Sequence, residues 1–152
     1  MKNLHALTLG LALLGFAAHA DATANCTLKL KADDRMQFDL KTATVSSSCA
    51  TISIELAHTG KLPVTAMGHN VVISATQDVS AISTAGMKAG AGANYVPKGD
   101  ARVLAFTPMV GGGGKTAAKI AGSKLRAGGD YSFFCSFPGH SGIMKGKLIV
   151  GR

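Results

Sequence analysis

A thiol, an imidazole and a thioether fall within one short stretch near the C-terminus, Cys135-Ser136-Phe137-Pro138-Gly139-His140-Ser141-Gly142-Ile143-Met144. A further imidazole, His69, lies far upstream in Met67-Gly68-His69-Asn70. One thiolate, two imidazoles and a weak thioether are the donors that suit a mononuclear copper ion cycling between Cu(I) and Cu(II). Sulfur favours the reduced ion, and imidazole serves both charge states. If the four side chains meet around one ion, the chemistry is the movement of single electrons, with no substrate to transform.

The sequence around each donor bears on that reading. Phe133 and Phe134 precede Cys135 on an apparent strand, which places the thiol at a strand end. A lone cysteine also reads as a small buried hydrophobe. A lone loop histidine such as His140 is usually solvated. Pro138 fixes one backbone torsion and Gly139 reaches conformations closed to other residues, so together they can fold His140 back toward Cys135. Taken alone, Met144 reads as a core methionine; as a thioether it also suits the long axial position of a copper site. Because His69 precedes the β-branched run Val71-Val72-Ile73, a site that includes it spans the fold and is not confined to one loop.

The elements that must position these residues read as mostly β. Polar and apolar residues alternate in Thr27–Lys31, Met36–Leu40 and Thr51–Leu56, as in half-buried strands. The runs 69–75, 101–107, 131–135 and 147–150 add further strands, and turn residues separate them at the short spacings of a sandwich or barrel. The segment from Gln77 to Gly90 breaks the pattern and predicts a short helix or flap. Four glycines, Gly111–Gly114, predict a mobile turn. They are followed by Lys115, but the spacing is wrong for a phosphate-cradling Gly-x-x-x-x-Gly-Lys-Ser/Thr loop.

Lys2 and the apolar run Leu4–Ala18, closed by Ala18-His19-Ala20, predict a signal peptide over residues 1–20, with alternative cleavage after Ala22 or Ala24. The run falls short of the ~20 apolar residues of a membrane span, and no lipid-anchor motif surrounds Cys26. The expectation is an exported, monomeric chain with one domain over 21–152. Export implies an oxidising compartment, where three cysteines leave one unpaired. The economical assignment pairs Cys26 with Cys49 and reserves Cys135 for metal.

The full chain carries 16 basic and eight acidic residues, formally +8. Loss of Met1–Ala20 removes one lysine and leaves +7. Such charge favours acidic partners and also keeps an exported protein in solution. Nucleic-acid binding fits poorly: the lysines are scattered, no recognition-helix or zinc-finger pattern is present, and aromatics do not interleave with the bases.

The motifs Met67-Gly68-His69-Asn70 and Cys135-x4-His140-x3-Met144 resemble those of the azurin family of bacterial periplasmic cupredoxins, and the likeness covers nearly all of the mature region. Plastocyanin-like and pseudoazurin-like relatives have a shorter Cys-to-His gap. The resemblance implies an eight-stranded Greek-key β-sandwich with a helical flap at 77–90. It implies His69, Cys135 and His140 as strong copper ligands, Met144 as the weak axial ligand, and the Gly68 carbonyl approaching from the opposite side. Asn70 would hydrogen-bond near the thiolate, and Cys26–Cys49 matches the family disulfide. His140 would reach the surface through an apolar collar of Met36, Leu62, Met67, Met87, Phe137, Pro138 and Ile143. His58 matches a non-ligand histidine, read as partly buried. The family's redox partners are c-type cytochromes and denitrification enzymes. The chain departs from the family in having no Trp, with Val71 where a buried Trp is common, and in its glycine run and strong basic charge.

Three functions compete on these residues. The first is a periplasmic blue-copper electron carrier. The second is a copper-delivery or sequestration protein, which would present exposed, exchangeable ligands. The third is an enzyme with Cys135 as nucleophile and His140 as base, but no third group is evident to orient the base.

Overall fold

A computed structural model describes residues 24–152. The expected signal peptide lies outside the described residues. Two sheets form a sandwich. The first runs β2 (Gln37–Phe38), β1 (Thr27–Asp33), β4 (Thr51–His58), β7 (Lys115–Ala121). The second runs β3 (Thr42–Ser46), β9 (Lys145–Gly151), β8 (Tyr131–Phe134), β5 (Val72–Ala75), β6 (Ala105–Phe106). β1 pairs with β4 in parallel, as β3 does with β9, so the chain crosses repeatedly between sheets in the Greek-key manner. Nine strands are present among the described residues, of which β2 and β6 have two residues each. The fold is the β-sandwich with a helical flap that the sequence implied.

Alternation decides which residues fill the space between the sheets. Leu28, Leu30, Ile52, Ile54 and Leu56 point inward from the first sheet; Val45, Ile73, Phe133, Leu148 and Val150 meet them from the second. Phe38 packs edge-on against Phe133 at 5.5 Å between ring centres, an arrangement aromatic quadrupoles favour. Two strands went unmarked in the sequence. β3 reads Thr-Ala-Thr-Val-Ser and β7 reads Lys-Thr-Ala-Ala-Lys-Ile-Ala; each has too few large apolar residues for alternation to show.

The flap is a helical turn, Thr76–Asp78, leading into α2 (Val79–Ala89). Lys88 in its last turn complements the helix dipole, and Gly90 ends it with φ 76°. Val79 and Ile82 cover Val72 and Phe134 on the outer side of the second sheet, together with Val96. That second core explains why all four residues of β8 are buried: its two faces belong to two cores. A further short helix, α1 (Val64–Met67), lies just before His69.

The glycine run differs from the mobile turn expected. The N–H groups of Gly112 and Gly113 donate to the carbonyls of Leu62 and His58, at 2.8 and 2.9 Å, and Gly114 accepts from His58 N–H at 2.8 Å. A β-carbon at Gly111 would stand 2.6 Å from Val64 N. The glycines serve close packing of two chain segments.

Cys26 and Cys49 are disulfide-bonded, tying the start of β1 to the β3–β4 turn, with Cα atoms 5.6 Å apart. The bridge spans 23 residues of sequence, and a loop of that length gives about 3 kcal/mol of stabilisation on the chain-entropy account. The double variant Cys26→Ala/Cys49→Ala is expected to lose stability of that order in guanidinium unfolding while keeping its far-ultraviolet circular dichroism. An unchanged unfolding midpoint would remove the bridge from the fold's main supports.

Candidate metal centre

The antiparallel pair β5–β8 brings the distant donors together. Val72 lies opposite Phe134, so the residues just before β5 face those just after β8. His69 is fixed by a two-bond bridge to Val110, each N–H donating to the other's carbonyl at 2.9 Å. Cys135 N–H donates to the Met144 carbonyl at 3.0 Å, and the N–H groups of Ile143 and Met144 donate to the His140 carbonyl at 3.1 and 2.8 Å. The loop from Cys135 to Met144 is thus closed on itself, with Gly139 supplying a φ of 82°.

Cys135 Sγ lies 3.8 Å from His69 Nδ1 and 3.6 Å from His140 Nδ1. The three ligand atoms are within 4.8 Å of one another, and all three residues are buried. His69 Nε2–H donates to the Asp33 carbonyl at 2.8 Å, which assigns the proton to Nε2 and turns the Nδ1 lone pair toward the sulfur. The Gly68 carbonyl oxygen stands 3.8 Å from Sγ. Met144 is fully buried.

The electrostatics suit a cation. Burial pushes the Cys135 thiol up to about 11; the backbone N–H groups of Asn70 and Phe137 act the other way and favour the thiolate. Burial, with the nearby His69, pushes His140 down to about 4. Burial also lowers His69, and His58 adds to that effect. Both imidazoles are therefore neutral, lone-pair donors at neutral pH. Among the described residues, no carboxylate joins the cluster. This soft sulfur with two imidazoles fits copper, and its burial closes the site to exchange with solvent.

Around the donors, Asn70 links the two ligand-bearing segments. Its Oδ1 accepts the Ser136 N–H at 2.9 Å, and its Nδ2 donates to Ser136 Oγ at 2.8 Å and to the Asn94 carbonyl at 3.1 Å. Ser136 and Asn94 were missed in the sequence, where each reads as an ordinary turn residue. His58 is 2 % exposed, more deeply buried than expected. Its ring stacks on His69 at 4.4 Å between centres. Its Nε2–H donates to the Met67 carbonyl at 2.9 Å, and its Nδ1 accepts the Gly60 N–H at 3.0 Å. Of the apolar collar, Leu62, Met87 and Ile143 are exposed, and Met36, Met67, Phe137 and Pro138 are half-buried. Val64 is exposed as well, two residues beyond Leu62.

A β-sandwich with a buried Cys-His-His cluster between two strand ends defines a cupredoxin. A family model described as copper-binding proteins of the plastocyanin/azurin family matches residues 24–151, and the chain belongs to that family. It is 50 % identical over 126 residues to azurin of Alcaligenes faecalis, covering 83 % of this chain and 98 % of that one. It is 45 % identical over 139 residues to azurin of Bordetella pertussis, covering 91 % and 93 %. A solved azurin from the methylotroph Methylomonas sp. strain J superposes with a TM-score of 0.80 at 40 % identity, covering 85 % of this chain and all of that one. A one-copper, blue electron carrier is the function these similarities and the His-Cys-His cluster carry.

The low proton affinity of the buried imidazoles has a consequence for the metal-free protein. In the unfolded chain they titrate near 6.5. In the fold His140 does so at about 4. Below neutral pH the unfolded state therefore takes up protons first, and stability falls as pH drops from about 6.5 toward about 4. Thermal unfolding of metal-free protein is expected to show that decline, and His140→Gln to flatten it. A slope indifferent to the loss of His140 would place its cause elsewhere.

Proposed function

We propose that this chain is an exported carrier of single electrons, mature from about residue 21, a single domain that works as a periplasmic monomer. His69, Cys135 and His140 would hold the ion as strong ligands, with the Met144 thioether and the Gly68 carbonyl as weak donors. Bound copper supplies a one-electron Cu(II)/Cu(I) couple. The chain's own residues do the rest: they keep water out, fix the imidazole tautomers and hold the donor atoms in place while charge changes. The protein carries electrons and performs no catalysis.

The observation that carries this reading is the meeting of three buried donor atoms from two separate chain segments within 4.8 Å. A delivery protein needs ligands that open to exchange. Here Cys135 and His69 are fully buried and His140 is 3 % exposed. Support for Met144 comes from its burial and from backbone hydrogen bonds to both His140 and Cys135. Asn70 serves as the tie that orients the sulfur-bearing segment against the His69 segment.

The port is the apolar collar of Met36, Leu62, Met67, Met87, Phe137, Pro138 and Ile143. Phe137 lies 4.6 Å from the His140 ring, centre to centre. Exposed apolar clusters mark contact surfaces, and transient redox encounters bury less than about 1,200 Å². The partners are redox proteins of the c-type cytochrome or denitrification-enzyme kind, by family likeness. No helix among the described residues is long and apolar enough to cross a membrane.

Copper-loaded protein is expected to be intensely blue from thiolate-to-Cu(II) charge transfer, and Cys135→Ser to lose that band. A colourless copper complex of the wild type would turn the reading toward storage or delivery. Met144→Leu is expected to keep the blue band and shift the reduction potential. Loss of copper binding in that variant, measured by titration, would make the thioether a strong ligand and refute the axial assignment.

A further inference from the structure

The turn that leaves the helical flap holds two consecutive non-glycine residues in the left-handed region, Asn94 at φ 55° and Tyr95 at φ 53°. L-residues visit that region singly and with reluctance, Asn more readily than Tyr. The surroundings hold the turn in place. Asn94 N–H donates to the Ala91 carbonyl at 2.9 Å, and Tyr95 N–H to the Gly90 carbonyl at 3.0 Å. The α2 helix closes down on it at Gly86, where a β-carbon would collide with the Tyr95 carbonyl oxygen.

From this turn, contacts reach the metal centre by three routes. The Asn94 carbonyl accepts both Asn70 Nδ2–H at 3.1 Å and Ser136 Oγ–H at 3.2 Å, and so fixes the pair that joins the two ligand segments. The Asn94 side-chain Oδ1 accepts the Met109 N–H at 2.8 Å. Met109 in turn packs on Gly68, its Cγ and Sδ 3.0 and 3.1 Å from where a β-carbon would stand there. The Tyr95 ring meets Phe137 edge-on at 5.4 Å, and Phe137 lies against His140.

We propose that Asn94 is a positioning residue of the metal centre, its carbonyl setting the Asn70–Ser136 pair beside the sulfur and its amide setting Met109 against Gly68. Asn94 is not one of the donor residues; it acts through the Asn70–Ser136 pair and Met109, which adjoin them. The proposal rests on the copper-carrier reading for its electrochemical arm and on the metal-free fold for its other arm. Because hydrogen bonding around the cysteine sulfur tunes the potential of such a site, Asn94 makes the flap turn a determinant of potential. Donors directed at the sulfur disperse the thiolate's charge and favour the reduced ion. Loosening the Asn70 segment weakens that effect, and the potential falls.

Three variants separate the roles. Asn94→Gly keeps the left-handed backbone and loses the amide, Asn94→Ala loses both, and Asn94→Asp keeps an acceptor for Met109 N–H. In metal-free protein, hydrogen exchange at the Met109 amide is expected to accelerate about tenfold in Asn94→Gly, the loss of about one hydrogen bond. The Ser136 amide, whose partner Asn70 is held by the Asn94 carbonyl, is expected to accelerate only where the left-handed backbone is lost, in Asn94→Ala. Both should stay near wild type in Asn94→Asp. In copper-loaded protein, the potential is expected to fall most in Asn94→Ala and less in Asn94→Gly, where only the Met109 contact behind Gly68 is released, with a shifted charge-transfer band, and to stay near wild type in Asn94→Asp. Should Asn94→Ala not fold, the Gly and Asp variants carry the comparison. Potentials and bands equal in all folded variants would make Asn94 a residue of the fold alone and overturn the proposal, as would an unprotected Met109 amide in the wild type. A wild type with no blue band would defeat the electron-carrier reading instead, leaving the exchange result to decide Asn94.

Discussion

The sulfur of Cys135 sits in the dry interior of a β-sandwich, and that placement sets the terms for its surroundings. A thiolate loses its hydration there, which is why burial raises the thiol to about 11 even against the backbone N–H groups that favour the thiolate. A coordinating cation reverses the balance, since it deprotonates a thiol outright. The protein assists without adding a competing charge: backbone N–H groups of Asn70 and Phe137 face the sulfur, and the companion donors are neutral imidazoles. A nearby carboxylate would serve a hard divalent ion and oppose the thiolate. Instead, the carbonyl of Asp33, not its carboxylate, receives the His69 proton. The Asp33 carboxylate is engaged by Arg35 at 2.6 Å.

Such a centre works only if the frame does not relax with each change of charge. The frame comes from non-local pairing. β5 and β8 set the register that brings Asn70 and Val71 against Cys135 and Ser136. Those two strands are held from both sides, by the main core beneath and by α2 above. A loop closed only by its own hydrogen bonds would offer ligands on a hinge. Here the Cys135–Met144 loop is clamped at one end by β8 and at the other by β9, while His69 is bridged to Val110 on a third segment. Movement of any one donor therefore requires several packed segments to move together, which close-packed interiors resist.

How far the sequence could be read follows from the range of each constraint. The Cys-Pro-Gly-His-Met loop was legible because its donors are close in sequence and its proline and glycine act locally. The disulfide yielded to the parity of three cysteines once the chain was read as exported. The flap showed as a break in alternation. His69 could be suspected from its place before a β-branched run, but its convergence on Cys135 depends on strand pairing across 66 residues, which no local pattern encodes. Asn94 and Ser136 were invisible for the same reason, because hydrogen-bonding partners 24 and 42 residues apart leave no periodic trace. β3 and β7 were hidden by composition, since Ala and Thr pack adequately in a strand without announcing which face is inward. The glycine run was misread because glycine is required both where backbone moves and where backbones touch, and only the neighbours at Lys61–Val64 distinguish the two.

Burying the sulfur creates a problem of access, and the surface answers it in two ranges. At contact distance the collar is apolar: Leu62, Val64, Met87 and Ile143 are each more than 40 % exposed. Such side chains desolvate readily and bind weakly over a small area, as a carrier that must release its partner requires. At longer distance charge takes over. Among the described residues, Arg35, Arg102 and Lys147 face carboxylates within 4 Å. Lys61 and Lys88, which adjoin Leu62 and Met87 in the chain, form no such pair. An excess of positive charge flanking an uncharged contact would steer an acidic partner in over about a Debye length, ~8 Å at physiological salt, and would add little to adhesion afterwards because exposed charges are screened. On the proposed reading, speed of encounter and ease of separation would be set by different residues, so the basic surface could change without disturbing a centre tied together by Asn70, Ser136 and the two strand ends beneath it.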